Sequence, residues 1–169
     1  MIKRYRSYFL ALVYACVLVL SFQGCDKKDP LKPEEMHWDR DSCERCNMAI
    51  SERKYAVQVI NPKNGKHYKF DDLGCAILWF DEEKIPWKDR AIIWITDAKT
   101  GKWIDAKTAM YTDDSITPMA YGLSAFTKET FPKGKKALTF QDAIKIIYKV
   151  EEFNKNKQKE QEELSKGKG

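Results

Sequence analysis

An Asn-Gly pair near the middle of the chain determines how the residues on either side of it must be arranged. Asn64-Gly65 lies in a short polar segment between two runs that are predicted to be strands, residues 55–60 and 66–70. Asn and Gly tolerate the positive φ angles of tight hairpin turns better than other residues do. The sequence therefore predicts that the two runs form an antiparallel β-hairpin.

A helix is predicted directly after this hairpin. Asp71 or Asp72 can cap it, and apolar residues then recur at the i, i+3, i+4 and i+7 spacing of a buried helical face: Leu73, Ala76, Ile77 and Phe80. Pro86 ends the element. Further strands are predicted over residues 91–96, 103–106, 108–112 and 123–127.

The pattern repeats at the other end of the chain. Thr139-Phe-Gln-Asp142 resembles a capping box, and Ala143, Ile146, Ile147 and Val150 repeat the helical spacing. Each half then contains a hairpin, a helix and a further strand, which indicates a weak internal duplication. The predicted fold class is α+β with mostly antiparallel strands.

The N-terminal residues are typical of an export signal. Lys3, Arg4 and Arg6 precede an almost wholly apolar run over residues 8–22, and Phe22-Gln-Gly-Cys25 resembles the lipobox of bacterial lipoproteins. Residues 1–24 are predicted to be a signal peptide, with Cys25 lipidated and residues 25–35 a lipid-anchored linker. An uncleaved membrane helix is the main alternative, and Cys16 is an earlier candidate for the modified cysteine. Either anchor places the chain at the cell membrane, facing the periplasm.

Charge argues against binding to nucleic acid. Without residues 1–24 the chain keeps 27 basic and 25 acidic side chains, so no basic surface is expected. Residues 151–169 are nearly all charged or amide-bearing and are predicted to be a solvated helix or disordered. Function is expected between residues 36 and 150.

The motif Cys43-Glu-Arg-Cys46-Asn-Met48 places three sulfur donors within six residues. Two thiolates on one tight turn can reach a single ion, and a thioether binds Cu(I) well but has little affinity for Zn²⁺. The motif therefore favours a Cu(I) site and a binding protein over an enzyme. Met119, between Pro118 and Gly122 in a predicted turn, is a candidate second thioether ligand, with core filler as its alternative.

Other interpretations of the motif remain open at this point. Cys43 and Cys46 can form a structural disulfide, since export leads to an oxidising compartment, or a redox dithiol in a thiol–disulfide oxidoreductase. A zinc site would need Cys75 and a histidine to reach four ligands. Cys75 is more typical of a small buried apolar residue, and His67 of a surface residue. His37, next to Met36, is a candidate auxiliary ligand.

Several segments together resemble the NosL family, the accessory lipoproteins of nitrous oxide reductase. The resemblance covers residues 40–150 in the family's order and is carried by four stretches: Trp38 to Ile50 around the cysteine motif, Lys69-Phe-Asp-Asp72, Gly101 to Ala106, and Thr117-Pro-Met119 to Phe126. Members usually have Gly where Asn47 stands, and Asn also tolerates positive φ.

This resemblance implies a membrane-anchored, non-enzymatic Cu(I) chaperone that delivers copper for the copper–sulfur centre of nitrous oxide reductase. Its partners would be that reductase or its maturation factors. The implied fold has two ββαβ-like halves, similar to the organomercurial lyase, over residues 36–98 and 99–150. The implied ligands are Cys43, Cys46 and Met48, with Met119 as a further ligand. The oligomeric state does not follow from the sequence.

Overall fold

The computed structural model describes residues 29–166. The predicted signal peptide over residues 1–24 and the predicted lipidation site Cys25 lie outside the described residues. The described strands are β1 (Val57–Ile60), β2 (His67–Phe70), β3 (Ile92–Thr96), β4 (Trp103–Asp105), β5 (Met110–Thr112) and β6 (Ser124–Phe126). The described helices are α1 (Leu73–Glu82) and α2 (Phe140–Lys166), with a 3₁₀ turn at Lys88–Arg90.

Two antiparallel sheets organise the described residues. Four strands pair in the order β2-β1-β3-β4, and β5 pairs with β6. A parallel bridge from Asp97 to Ala125 links the two sheets. The predicted hairpin joins β1 to β2: Gly65 has a φ of +69°, and the Asn61 amide donates to the Lys66 carbonyl at 2.9 Å. The α+β class with antiparallel strands is confirmed.

Both helices begin where their capping residues predict. The carboxylate of Asp72 accepts a hydrogen bond from the Gly74 amide at 2.8 Å and so caps α1. Thr139 and Asp142 exchange reciprocal hydrogen bonds at the start of α2, which is the geometry of a capping box. Helix α2 continues through the charged residues 151–166, where nearly every side chain is exposed.

The two halves differ in how they are assembled. Strands β1, β2 and β3 with α1 form a ββαβ unit over the first half. In the second half β4 pairs with β3, whereas β5 and β6 form the smaller sheet and α2 follows them in sequence. Leu138 bridges Tyr111 of β5 directly before α2, and within residues 29–166 no strand follows that helix.

Strand β1 is buried on both faces. Val57 and Val59 belong to the main core, together with apolar residues of α1. On the opposite face, residues 29–35 contact the sheet. The side-chain Nε2 of Gln58 donates to the backbone carbonyl of Glu34 at 2.9 Å, and its Oε1 accepts from the backbone amide of Glu34 at 3.0 Å. Part of the segment that composition predicts to be a linker is therefore bound to the sheet. Within residues 29–166 neither helix is long and apolar enough to cross a membrane.

Candidate metal centre

A tight loop presents the cysteine motif. The Cys43 amide donates to the Met48 carbonyl at 2.8 Å, and the Asn47 amide donates to the Cys43 carbonyl at 2.9 Å. Asn47 has a φ of +59°, as predicted for a residue in the place where family members have Gly. These hydrogen bonds turn the backbone back on itself and hold both cysteines on one side of the loop.

Contacts with β2 fix this loop against the sheet. The Glu44 amide donates to the Lys69 carbonyl at 2.9 Å. The Lys69 ammonium forms ion pairs with Asp41 and Glu34, each at 2.8 Å. The motif therefore lies beside the end of β2, where the chain passes through Asp71 and Asp72 into α1.

Four donor groups meet at this junction. The sulfur atoms of Cys43, Cys46 and Cys75 and a carboxylate oxygen of Asp71 all lie within 4.8 Å of one another. All three cysteines are free. Cys43 and Cys75 are fully buried, Asp71 is 3% exposed and Cys46 is half-buried. The cluster therefore faces solvent only through its Cys46 side.

Hydrogen bonds distribute the thiol protons unequally. A hydrogen bond from Cys75 lowers the pKa of Cys43 to about 6, against the opposing effect of burial. The same hydrogen bond, together with burial, raises the pKa of Cys75 above its ordinary value. Burial is the main cause that raises the pKa of Cys46 to about 12. Cys43 is therefore the sulfur whose thiolate form these surroundings favour, whereas they favour the protonated form of Cys46 and Cys75.

The Asp71 carboxylate adds negative charge to the cluster. Its Oδ2 atom accepts a hydrogen bond from the Cys46 thiol at 3.4 Å. Its Oδ1 atom is buried and has no hydrogen-bond partner among the described residues. A buried carboxylate oxygen without a partner is costly, and a cation bound between the sulfur atoms would offset that cost. The three thiols and one carboxylate can hold a metal ion.

The structure brings together two of the four predicted metal ligands, Cys43 and Cys46. Met48 follows them on the same loop, and its side chain is 52% exposed. Met119 is half-buried against the core. Roles for both methionines as ligands stay predictions.

The histidines lie in other surroundings. His37 is exposed and 3.5 Å from the Asp41 carboxylate. The ring of His67 lies at hydrogen-bond distance from Gln58 and Pro30 on the outer face of the sheet. His67 therefore serves the contact with residues 29–35.

Sequence reasoning missed Asp71 as a member of the cluster and considered Cys75 as a ligand only in the alternative zinc site. Asp71 was interpreted as a candidate helix cap and Cys75 as a buried apolar residue. No spacing rule marks this pair, because Asp71 precedes the Asp72 cap and lies outside the helix.

The chain was compared with known proteins. No family model matches it, and no curated protein matches its sequence. Among solved structures it is similar to the crystal structure of the copper chaperone NosL from Shewanella denitrificans, with 14% sequence identity and a TM-score of 0.47. The alignment covers 66% of this chain and 95% of that one. A structural similarity this low is no argument for a shared function. Any proposal about function must therefore rest on the donor groups themselves.

Proposed function

We propose that this protein is a Cu(I) metallochaperone, which binds the ion at the cysteine cluster and passes it to a partner by ligand exchange. The observation that carries the proposal is the convergence of three free thiols within 4.8 Å at a site with one half-exposed sulfur. Thiolates are soft ligands that suit Cu(I), and the exposed Met48 thioether beside them favours Cu(I) over Zn²⁺. The bound ion is cargo, and no catalysis is involved.

The exposure of the donors supports transfer in preference to permanent storage. Cys46 is half-buried and Met48 is exposed, so a partner's thiolate or thioether has a route to the ion from that side. A structural site would be closed by protein on every side. We infer that Met48 binds Cu(I) from the solvent side and is the first ligand that a partner replaces.

The place of action and the client are inferred from the sequence. The lipobox-like segment ending at Cys25 supports a lipid anchor at the periplasmic face of the membrane. Such an anchor would raise the local concentration of membrane-bound partners without further contacts. The resemblance to the NosL family supports nitrous oxide reductase, or one of its maturation factors, as the recipient of the copper.

A thiol–disulfide oxidoreductase based on Cys43 and Cys46 is the second candidate. Its supporting observation is the lowered pKa of Cys43, caused mainly by the hydrogen bond from Cys75, since redox enzymes require a thiolate at neutral pH. However, Cys43 is fully buried, and an attacking thiolate must reach an external disulfide. The half-exposed Cys46 has a raised pKa, so the accessible sulfur is the less reactive one.

The experiment that tests metal binding is an anaerobic titration of the reduced full chain, in detergent, with Cu(I) against a chromophoric Cu(I) chelator. We expect tight binding, and we expect Cys46→Ser to weaken it by roughly a hundredfold. Mutation of a residue that only hydrogen-bonds to a metal ligand typically lowers metal affinity 10–100-fold, and loss of the ligand itself should cost at least as much. Ser42→Ala, an exposed neighbour of the motif, is the matched control and should bind as wild type does. Cu(I) binding that Cys46→Ser leaves unchanged would contradict the proposal.

Two further measurements separate the alternatives. In a competition with Zn²⁺, the chain should retain Cu(I); displacement by equimolar Zn²⁺ would indicate a zinc site. The same chain should not reduce a model disulfide repeatedly in the presence of a thiol reductant, and turnover there would favour the oxidoreductase.

The client is tested by mixing the Cu(I)-loaded chain with copper-free nitrous oxide reductase and following the absorption of its copper–sulfur centre.

A further inference from the structure

We propose that Cys75 is a third sulfur ligand, which together with Cys43 and Cys46 encloses Cu(I) inside the protein. The proposal rests on the proposed function and identifies the internal part of that site. Neither the cysteine motif nor the resemblance contains this residue as a ligand. The three sulfur atoms already lie within 4.8 Å of one another in the metal-free arrangement, so a single ion can contact them with small adjustments of the side chains.

The position of Cys75 is fixed by the start of α1. Asp72 caps the helix at Gly74, one residue before Cys75. The ring of Tyr121 lies directly over Gly74, where an added Cβ atom would come within 2.1 Å of a ring carbon. Only glycine permits this contact, and the ring prevents the first turn from moving outward. Cys75 is therefore held with its sulfur in the cluster.

The surroundings of Cys75 distinguish a ligand from core filler. A cysteine that acts as a small apolar residue is surrounded by apolar atoms. The Cys75 sulfur instead lies near two other sulfurs and a carboxylate, and the Oδ1 atom of that carboxylate, Asp71, is buried without a partner. The carboxylate adds negative charge beside the three sulfurs, and a bound cation would offset that charge. A carboxylate is a poor Cu(I) ligand, so we assign the bonds to the three sulfurs.

The three sulfurs differ in their access to solvent, which gives transfer an order. Cys43 and Cys75 are fully buried, and Cys46 is half-buried. A partner's thiol reaches the ion from the Cys46 side, and each exchange breaks one Cu–S bond as another forms. Copper stays in the +1 state, and the released thiolate of this protein takes up the proton that the incoming thiol loses. Cys75 is among the last ligands to be released.

The test compares Cys75→Ser with Ala76→Ser in the reduced full chain, in detergent, loaded with substoichiometric Cu(I). Ala76 is a fully buried small residue of the same helical turn, so its variant controls for a hydroxyl placed in this part of the core. X-ray absorption at the copper edge counts the sulfur neighbours, and chelator competition measures the affinity. We expect Cys75→Ser to lose one sulfur neighbour and roughly 10–100-fold or more in Cu(I) affinity, and Ala76→Ser to lose neither. A circular dichroism melt of each metal-free variant checks folding.

The possible failures are distinguishable. If Cys75→Ser keeps the wild-type number of sulfur neighbours and the wild-type affinity while Cys46→Ser loses Cu(I), the role of Cys75 is refuted and the chaperone stands. If both variants in the α1 turn lose affinity equally, the effect is structural and the assignment to Cys75 is refuted. If wild type itself does not bind Cu(I), the proposed function fails and this inference fails with it.

Discussion

At the scale of single residues, exposure separates the sulfur atoms of the site. The Met48 side chain is 52% exposed, whereas Cys43 and Cys75 are fully buried. We predict that Met48→Ala weakens Cu(I) binding roughly tenfold and leaves Zn²⁺ binding nearly unchanged, because a thioether contributes to binding of the soft ion alone. Parallel titrations with the two ions measure this. Equal losses for both ions would mean that Met48 supports the loop and is not a ligand.

Asp97 and Asp105 provide a second comparison between single residues. Each begins the tetrapeptide Asp-Ala-Lys-Thr, which occurs twice, and the Oδ1 atom of each accepts a backbone amide two residues later, at 3.0 Å and 2.8 Å respectively. Asp97 is fully buried, and its Oδ2 atom also accepts from the Thr127 amide at 3.0 Å. Both of its oxygens are in use, so neither orientation of an asparagine amide would satisfy all the donors.

We therefore predict that Asp97→Asn lowers the free energy of unfolding by about 3 kcal/mol, the cost of leaving buried donors without acceptors. Asp105→Asn, in the same tetrapeptide but exposed, should cost less than about 1 kcal/mol. Denaturant unfolding of both variants measures the difference. Comparable losses would show that the turn itself, and not burial of the carboxylate, sets the cost.

The contribution of Asp97 also depends on pH. Burial favours the neutral carboxyl, but hydrogen bonds from Thr130, Thr127 and Thr100 outweigh it and hold the pKa of Asp97 below its ordinary value. The stabilisation is therefore fully present above the unfolded pKa of about 3.9 and is lost as the pH falls through the lower folded value. The difference in stability between wild type and Asp97→Asn should shrink over that acidic range.

At the scale of elements, Arg45 connects the cysteine loop to both helices. Its guanidinium forms two hydrogen bonds with Glu82 of α1, at 2.8 and 2.9 Å, and an ion pair with Glu151 of α2 at 3.3 Å. The Tyr121 hydroxyl also donates to Glu151, at 3.0 Å. Glu151 is therefore the point at which α2 supports the loop.

We predict that Glu151→Gln lowers the free energy of unfolding by about 1–2 kcal/mol, because charged hydrogen bonds of low exposure are replaced by neutral ones. Glu152→Gln is the matched control, since its side chain is exposed, and should change stability by less than about 0.5 kcal/mol. Chemical denaturation measures both. If Glu151→Gln leaves the free energy of unfolding unchanged, Glu82 alone is sufficient to hold Arg45.

The elements that the sequence predicted are those fixed by local chemistry. The Asn64-Gly65 turn, the Asp72 cap and the Thr139–Asp142 box each depend on residues within a few positions, and each lies where the pattern placed it. Contacts between distant segments were not predictable in this way. The contact of residues 29–35 with the sheet depends on Gln58, a polar residue that a hydrophobic pattern does not mark as buried.

The candidate metal site was half predictable for the same reason. The spacing of Cys43 and Cys46 identifies them as candidate ligands from the sequence alone. Cys75 lies beside them only because the loop is hydrogen-bonded to Lys69 at the end of β2. Asp71 was recognised for its position before α1, but its unpartnered oxygen becomes visible only when the surrounding core is known. No periodicity in the sequence encodes either contact.

At the scale of the whole molecule, the site exists only in the folded chain. Cys43 and Cys46 come from the loop before β1, and Asp71 and Cys75 come from the junction between β2 and α1. An ion that binds all three sulfurs therefore binds the folded state far better than the unfolded one. Such binding stabilises the fold by an amount that grows with the free concentration of the ion.

We predict that free Cu(I) at 100 times its dissociation constant raises the free energy of unfolding by about 2.7 kcal/mol. Anaerobic denaturant unfolding with a buffered Cu(I) concentration measures the increase. Cys75→Ser at the same free Cu(I) concentration should gain less, because the remaining Cys43 and Cys46 lie close enough in sequence to bind the ion in the unfolded chain as well. If wild type binds Cu(I) tightly without gaining stability, the ion is held by the Cys43–Cys46 loop alone, and the junction of β2 with α1 takes no part in the site.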